Sequence, residues 1–129
     1  MAFGTFDIFH AGHRNYLAQA KALGDFLVVV VARDETVLRI KSQWTQYSEE
    51  ERREVVEESG LADEVVLGSL EDKYAVIEKY RPSVIALGYD QEANLAELTE
   101  RFKNLKLKAE IVRMESFEPE KYKSSKLRK

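Results

Sequence analysis

Residues 26–32 form an unbroken run of apolar side chains with the sequence Phe-Leu-Val-Val-Val-Val-Ala. A strand that is apolar at every position has both faces covered, which is the setting of a parallel sheet with helices packed on both sides. Apolar residues recur at helical spacing over residues 12–23, and Gly24 follows as the expected C-cap of a helix there. The run therefore favours an α/β fold in which strands and helices alternate.

The rest of the chain keeps this alternation. Ser48 and Glu51 have the spacing of a capping box, which predicts a helix from about residue 49 up to Gly60, and Asp34 is the expected cap of a shorter helix before it. The other predicted elements are helices over residues 35–40, 72–80 and 94–104 and strands over residues 63–67, 83–87 and 109–113. We therefore predict a single domain, residues 1–129, with a doubly wound, Rossmann-like sheet of five parallel strands and helices on both faces.

The first strand is the irregular part of this pattern. Only Met1, Ala2 and Phe3 precede the first glycine, whereas a buried strand usually has about five residues. Either this strand is very short or residues are missing before it, and the sequence leaves both options open.

Composition narrows the class of protein. The chain has no cysteine, which excludes disulfides, thiolate catalysis and cysteine metal sites. A net charge of −3 gives no indication of general nucleic-acid binding. No apolar run approaches the ~18 residues of a membrane span and no signal peptide is recognisable, so a cytoplasmic protein without a membrane partner is expected.

Two short motifs stand close together near the start of the chain. The first is Gly4-Thr5-Phe6-Asp7, a turn of mostly small residues after a short apolar segment, and the second is His10-Ala11-Gly12-His13, which opens the first predicted helix. A strand–loop–helix junction of this kind aims backbone N–H groups and the positive end of a helix dipole at one point, as phosphate binding requires. The two glycines allow close approach to the backbone, and the histidine spacing of three puts both rings on nearly one helix face.

These two motifs resemble the signature of the cytidylyltransferase-like nucleotidyltransferases. The resemblance implies transfer of a nucleoside monophosphate from a nucleoside triphosphate to a phosphate-bearing acceptor, with release of pyrophosphate. It also implies that His10 and His13 are catalytic, because imidazole donors stabilise the charge that builds up at the α-phosphate. The residues implied to contact the nucleotide here are Gly4, Thr5, Phe6, His10, Ala11, Gly12 and His13.

The resemblance extends to two basic positions further along the chain. Lys41, in the loop after the second strand, matches a lysine that holds phosphate near the acceptor, although a solvated surface lysine is the alternative and Arg39 is a competing candidate. Arg52, on the following helix, matches an arginine that reaches towards acceptor or phosphates. Arg53 competes with it, and a surface ion pair is the alternative for either arginine.

Three polar residues complete the expected nucleotide site. Asp90, in the turn after the fourth strand, can accept from a ribose hydroxyl or a base amine. Ser124 and Ser125 match a hydroxyl pair that opens a last helix and contacts the β- and γ-phosphates. The arginine and glycine that precede this pair in many cytidylyltransferases are absent, so a cytidine substrate is disfavoured.

Within the superfamily the chain resembles most the archaeal FMN adenylyltransferase group, on the segments Ala32-Arg33-Asp34-Glu35-Thr36 and Leu87-Gly88-Tyr89-Asp90-Gln91. The implied reaction converts ATP and FMN into FAD and pyrophosphate. The resemblance also implies Mg²⁺ or another divalent metal, held mainly by the nucleotide phosphates, and a homodimer. Glycerol-3-phosphate or sugar-phosphate cytidylyltransferase activity with CTP is the alternative, and a nucleotide-binding module without turnover is the non-enzymatic one. Trp44 and Tyr47 are candidates to stack on a flat flavin ring.

Overall fold

The computed structural model describes residues 1–72, 74–88, 91 and 95–115. Strands and helices alternate along these residues, as the sequence predicts. In chain order the elements are β1 (Ala2–Gly4), α1 (Ala11–Lys21), β2 (Val28–Val31), α2 (Asp34–Lys41), α3 (Glu49–Glu58), β3 (Glu64–Leu67), α4 (Ala75–Tyr80), β4 (Val84–Leu87), α5 (Leu95–Asn104) and β5 (Glu110–Arg113).

The five strands are parallel and lie in the order β3-β2-β1-β4-β5. The chain starts at the centre with β1, moves outward through β2 and β3, and then returns to the other side of β1 for β4 and β5. The strand order therefore reverses between β1 and β4, and in open α/β sheets ligands bind in the crevice at such a point, beyond the carboxyl ends of the strands. The predicted fold class is confirmed.

Helices cover both faces of the sheet, and β2 shows why its sequence is apolar throughout. Val29 and Val31 pack into the core under α1 and α3, whereas Val28 and Val30 pack into the core under α4 and α5. Full burial of one valine side chain contributes about 1.5–3 kcal/mol, so this segment is strongly committed to the interior.

The first strand is short, with three residues in β1. The ladder to β4 extends to Met1, whose backbone nitrogen donates to Val84 O at 2.8 Å and whose carbonyl accepts from Ala86 N at 2.9 Å. The shortness of β1 matters for the site, because the chain leaves the sheet directly after Gly4.

Several element boundaries differ from the sequence prediction. Phe26 lies outside β2 and is 62% exposed, because the chain enters the sheet only after Leu27. Helix α1 ends at Lys21 with Ala22 as its C-cap, so Gly24 is not the cap. Asp34 is the first residue of α2 rather than its cap, and its carboxylate binds other partners.

The capping box of α3 is confirmed. The Ser48 hydroxyl accepts from Glu51 N at 3.2 Å, and the Glu51 carboxylate accepts from Ser48 N at 3.0 Å. Gly60 follows the helix with a φ of 73°, the left-handed conformation that ends helices. None of the helices in the described part of the chain has the length and apolar composition to cross a bilayer.

Candidate active site

In the turn after β1, the Phe6 ring fills the space that a side chain at position 4 would need. Phe6 has a φ of 54°, a left-handed conformation that is costly for an aromatic residue, and its ring is buried. A Cβ added to Gly4 would lie 2.6 Å from Phe6 Cζ. The sequence reasoning assigned the space above Gly4 to a ligand, but here the Phe6 ring occupies it.

His10 and His13 bind the first turn of α1 in a reciprocal way. His10 is the N-cap, and its Nδ1 accepts from Gly12 N at 3.0 Å, while His13 Nδ1 accepts from His10 N at 3.3 Å. This is the arrangement of a capping box, with imidazole in place of the usual hydroxyl and carboxylate. Because both Nδ1 atoms accept hydrogen bonds, the proton of each neutral ring is assigned to Nε2, which is therefore a donor.

The histidine rings lie in an aromatic cluster. His13 stacks on His10 with ring centroids 4.0 Å apart and on Phe9 at 5.7 Å, and the edge of Phe6 meets it at 5.4 Å. Arg14 covers the outer face of Phe9, with its guanidinium carbon 5.1 Å from the ring centroid. The cluster and the bond from His10 N to Nδ1 together fix the plane of the His13 ring.

This packing determines the charge of the pair. Burial, followed by the proximity of His10, lowers the pKa of His13 from 6.5 to about 4, although the carbonyl of Ile8 acts in the opposite direction. Burial also lowers the pKa of His10. Both rings are therefore neutral at pH 7, and each offers an N–H rather than a positive charge.

A second loop, residues 42–48 between α2 and α3, is tied to the turn after β1. Asp7 accepts from Gln46 N at 2.8 Å and from Tyr47 N at 2.9 Å, one bond to each carboxylate oxygen. Trp44 and Tyr47 in this loop are 69% and 48% exposed, so neither ring is packed into the core. Two large aromatic rings thus project from a loop whose backbone is held at the carboxyl edge of the sheet.

Arg52 is the most deeply buried charged residue among the described residues, with 1% of its surface exposed. Its guanidinium donates to Thr5 O at 2.8 Å, to Tyr47 O at 3.1 Å and to Asp34 Oδ1 at 2.6 Å. It therefore joins the turn after β1, the 42–48 loop and the start of α2. Arg53, the competing candidate, pairs with Glu57 on the helix surface at 3.2 Å.

Asp34 completes this connection. It also accepts from Thr45 Oγ1 at 3.0 Å and from Glu49 N at 3.3 Å. Burial tends to raise the pKa of Asp34, but the bonds from Arg52, Thr45 and Glu49 outweigh it and hold the pKa below its usual range. The Glu49 carboxylate returns a bond by accepting from Asp34 N at 2.9 Å, so the N-termini of α2 and α3 cap each other.

The predicted site residues fall into three groups. The seven expected to contact the nucleotide, residues 4–6 and 10–13, lie together in the β1–α1 turn, and Arg52 reaches this turn through Thr5 O. Lys41 is exposed at the last position of α2, next to the 42–48 loop, and Arg39 is exposed two residues earlier. Asp90, Ser124 and Ser125 lie outside the described residues.

Sequence reasoning missed two contributors to this geometry. Asp7 was recognised only as part of a motif, although its carboxylate anchors the second loop. Phe9 was given no role, although its ring stacks on His13. Their position within or between the two motifs was the only local signal, because the partners of Asp7 are 39 and 40 residues away.

A metal ion has no dedicated cage in the described ranges, where no three acidic or histidine side chains converge. The groups that do converge are neutral imidazoles and a helix N-terminus, which suit anionic oxygens rather than a cation.

The comparisons with known proteins agree with this geometry. The family model described as Cytidylyltransferase-like matches residues 1–129, and the chain belongs to this family. FAD synthase of Ferroglobus placidus is 47% identical over 118 residues, which cover 92% of this chain and 76% of that protein. FAD synthase of Picrophilus torridus is 36% identical over 129 residues, covering 100% and 92%.

A solved structure shares the fold closely. The lipopolysaccharide core biosynthesis protein of Thermoplasma volcanium superimposes with a TM-score of 0.85 at 39% identity, covering 92% of this chain and 96% of that chain. The family and the fold class that the sequence predicted are confirmed.

Proposed function

We infer that this chain is a nucleotidyltransferase that transfers the adenylyl group of ATP to FMN, giving FAD and pyrophosphate. The observation that carries this inference is the similarity, at 36–47% identity over most of the chain, to archaeal proteins named FAD synthase. The neutral histidine pair at the N-terminus of α1 supports it independently. In this reaction a phosphate oxygen of FMN bonds to the α-phosphorus of ATP while the bond from that phosphorus to the bridging oxygen breaks.

His10 and His13 are proposed as the catalytic donors. Their Nε2–H groups stabilise the oxygens of the α-phosphate as negative charge accumulates there, and the backbone of the β1–α1 turn and the α1 dipole hold the same phosphate chain. Neutral rings suit this role because each keeps its N–H at working pH without needing a proton from solution. A donor of this kind contributes roughly 3 kcal/mol to lowering the barrier.

The 42–48 loop and the end of α2 are proposed as the acceptor side. Trp44 and Tyr47 are exposed flat rings that can stack on an isoalloxazine ring, and Lys41 supplies a cation for the FMN phosphate. The exposure of Trp44 favours this role over packing against the neighbouring helix. Arg52 is proposed to act through its bonds to Thr5 and Tyr47. These bonds set the distance between the β1–α1 turn, on the ATP side, and the 42–48 loop, on the FMN side.

A divalent metal is proposed to accompany the nucleotide. Nucleotidyltransferases of this kind generally use one, and Mg²⁺ neutralises triphosphate oxygens when bound. The absence of a carboxylate cluster in the described part of the chain favours binding of the metal mainly through the phosphates. Asp90, Ser124 and Ser125 stay predictions for ribose and phosphate contacts, and a cytoplasmic location stays a prediction as well.

The test is a pyrophosphate-release assay of the four nucleoside triphosphates, each against FMN, glycerol 3-phosphate and sugar phosphates. FAD formation is followed by chromatography. We expect turnover with ATP and FMN and little with CTP. Turnover of CTP with glycerol 3-phosphate, together with none for ATP and FMN, would overturn the proposal.

The single tryptophan provides a second readout. FMN bound against Trp44 quenches its fluorescence, so the acceptor can be titrated without turnover. Trp44→Ala should raise the KM for FMN and leave the KM for ATP unchanged. An unaltered KM for FMN in this variant would remove Trp44 from the acceptor site.

A sugar-phosphate acceptor is the second candidate, because the structurally similar Thermoplasma volcanium protein is described as a lipopolysaccharide core biosynthesis protein. The same assay decides between the two, since a sugar phosphate does not quench Trp44 by stacking and its product is separated from FAD.

A further inference from the structure

β1 and its neighbour β4 part at their carboxyl ends. They are paired in register only at Ala2 and Ala86, and Met1, just before β1, exchanges two backbone bonds with β4. In a regular parallel ladder the last two bonds would run from Phe3 N to Ala86 O and from Gly88 N to Phe3 O. A side chain takes part at both positions, and at the second Gly88 N bonds a side chain instead of Phe3 O.

A hydroxyl contacts both strands at the first position. Tyr16, on α1, accepts from Phe3 N at 3.2 Å and donates to Ala86 O at 2.7 Å. It thus bridges the two backbones from the side of α1, and it is buried.

A carboxamide fills the second position. Gln91 Oε1 accepts from Gly88 N at 2.8 Å, and Gln91 Nε2 donates to Phe3 O at 2.7 Å. The amide group therefore lies between Phe3 O and Gly88 N, where a direct bond would otherwise join the strands. Both backbone groups stay hydrogen-bonded, and the gap carries no unsatisfied donor or acceptor from these two residues.

Three further contacts hold Gln91 in this position. Its backbone nitrogen donates to Gly88 O at 3.2 Å, which closes a tight turn, and Arg113 donates to Gly88 O at 2.9 Å and to Gln91 O at 2.7 Å. A Cβ at Gly88 would lie 3.2 Å from Gln91 Cγ, so glycine leaves room for the returning side chain. The orientation of the carboxamide is therefore determined from both ends.

We propose that Gln91 is a positioning residue whose carboxamide holds β1 and β4 apart and so sets the width of the crevice that receives the nucleotide. The proposal rests on the proposed function for the identity of that nucleotide, ATP. Phe3 directly precedes Gly4, where the β1–α1 turn begins, and Gly88 is the first residue beyond β4. Gln91 is the side chain that links these two points, so its loss changes how the turn and the end of β4 face each other.

The first test replaces the carboxamide with a side chain of similar length that forms neither bond. In Gln91→Met we expect the Kd for MgATP, measured by calorimetry without FMN, to rise by about tenfold, the loss of one well-made bond to each strand. The Kd for FMN, measured by Trp44 fluorescence, should stay within about twofold of wild type, because Asp7 and Arg52, and not Gln91, hold the 42–48 loop. Equal Kd values for MgATP in the two proteins, or an equal loss for FMN, would overturn the proposal.

The second test uses protonation to restore the missing donor. Gln91→Glu keeps an acceptor for Gly88 N, but its ionised carboxylate repels Phe3 O, whereas the protonated acid can donate to it. Among the described residues, Arg113 is a charged group that bonds Gly88 O and Gln91 O, and its positive charge favours the ionised form. We expect the ratio of the variant's Kd to the wild-type Kd for MgATP to fall as the pH is lowered through the pKa of the introduced carboxyl group, which NMR of the variant locates. A ratio that does not change with pH would show that the donor to Phe3 O has no role.

A control separates positioning from a general loss of stability. Arg81→Met removes a bond of 3.0 Å from the Arg81 guanidinium to Leu105 O, at the opposite edge of the sheet, and should leave the Kd for MgATP unchanged. The two proposals also fail in different ways. If wild type forms no FAD but binds ATP, and Gln91→Met weakens that binding, then FMN is not the acceptor and the positioning role of Gln91 stands. If wild type binds no nucleoside triphosphate, both fail.

Discussion

At the scale of single residues, His10 and His13 cap the helix with one ring nitrogen and are proposed to contact the ligand with the other. The Nδ1 atoms cap α1, and the Nε2 atoms are the proposed donors to the ligand. The spacing of three that the sequence shows is the spacing of a capping box, so the position of the rings follows from helix formation itself. The two roles can therefore be separated by substitution.

His10→Asn should separate them. Asparagine is a good N-cap and can accept from Gly12 N, but it has no group that replaces Nε2–H. We expect kcat to fall by roughly a hundredfold or more, with the free energy of unfolding within ~0.5 kcal/mol of wild type. His10→Ala should lose the same activity and in addition ~1 kcal/mol of stability. Steady-state kinetics and urea unfolding measure the two effects, and wild-type turnover in either variant would remove His10 from catalysis.

The lowered pKa of His13 predicts a pH dependence of stability. Between about pH 4, its pKa in the folded protein, and its usual 6.5 in the unfolded chain, the unfolded state binds the proton and the folded state does not. The free energy of unfolding should therefore fall as pH drops through this window. In His13→Gln, whose amide can still accept from His10 N, the fall should be smaller. Urea unfolding at pH 7.5 and pH 5 tests this, and an equal fall in both proteins would contradict the assignment.

The contact between Gly4 and Phe6 predicts that an alanine at position 4 destabilises the protein far more than an alanine at a glycine with open space around it. Gly4→Ala places a methyl group against the Phe6 ring and should destabilise the protein by about 1–3 kcal/mol. Gly24→Ala is the matched control, because no atom lies within 4 Å of the added Cβ, and its effect should be close to zero. Thermal unfolding of both variants measures the difference. Similar melting temperatures would show that the Phe6 ring moves aside without cost.

At the scale of elements, α2 and α3 form a unit that presents the 42–48 loop. Arg52, Asp34 and Glu49 bond the two helix starts to each other and to the turn after β1. Removing one partner of such a buried pair commonly costs about 3–5 kcal/mol, although the partial exposure of Asp34 reduces this. The loop can therefore hold exposed aromatic rings at a fixed place without packing them into the core.

Lys41 and Arg39 can be distinguished at this scale. Lys41→Ala should raise the KM for FMN several-fold with saturating ATP and leave the fold intact, because the side chain is exposed at the end of α2. Arg39→Ala is the matched control on the same helix. If the two variants exchange these outcomes, Arg39 holds the acceptor phosphate and Lys41 belongs to the surface.

At the scale of the whole molecule, the strand order places the β1–α1 turn and the end of β4 on either side of one crevice. Nothing in the two motifs alone brings Gly88 beside Phe3, since this follows from the reversal of strand order at the centre of the sheet. The 42–48 loop joins the same edge through Asp7. The parts of the proposed site thus come together because the strands are parallel and their carboxyl ends meet at one edge.

Self-association is the prediction that belongs to this scale. The family resemblance implies a homodimer, so sedimentation at micromolar concentration should give twice the protomer mass of 14.9 kDa. A monomer at that concentration would contradict the resemblance on this point. The His10 and His13 variants should sediment with the same mass as wild type, so that a change in their activity cannot be due to a change in assembly.

The sequence by itself determined the features that depend on near neighbours. Strand and helix order, the α3 capping box, the end of that helix at Gly60 and the placing of both histidines in one turn are set by residues within a few positions of one another. The unbroken apolar run correctly predicted that β2 is covered on both faces. Boundaries such as Phe26 were wrong because the point where a strand leaves the sheet depends on its partner strand.

Only the tertiary structure decided how the site is held together. Arg52 bonds a residue 47 positions away, Tyr16 one 70 positions away, and Gln91 one 88 positions away. No local pattern encodes such contacts, because they arise when parallel strands bring distant loops to the same edge. The residues proposed to carry the chemistry were singled out from the motif, whereas the residues that hold this turn in place were not, since the latter are defined by the space and hydrogen bonds that the folded sheet leaves open.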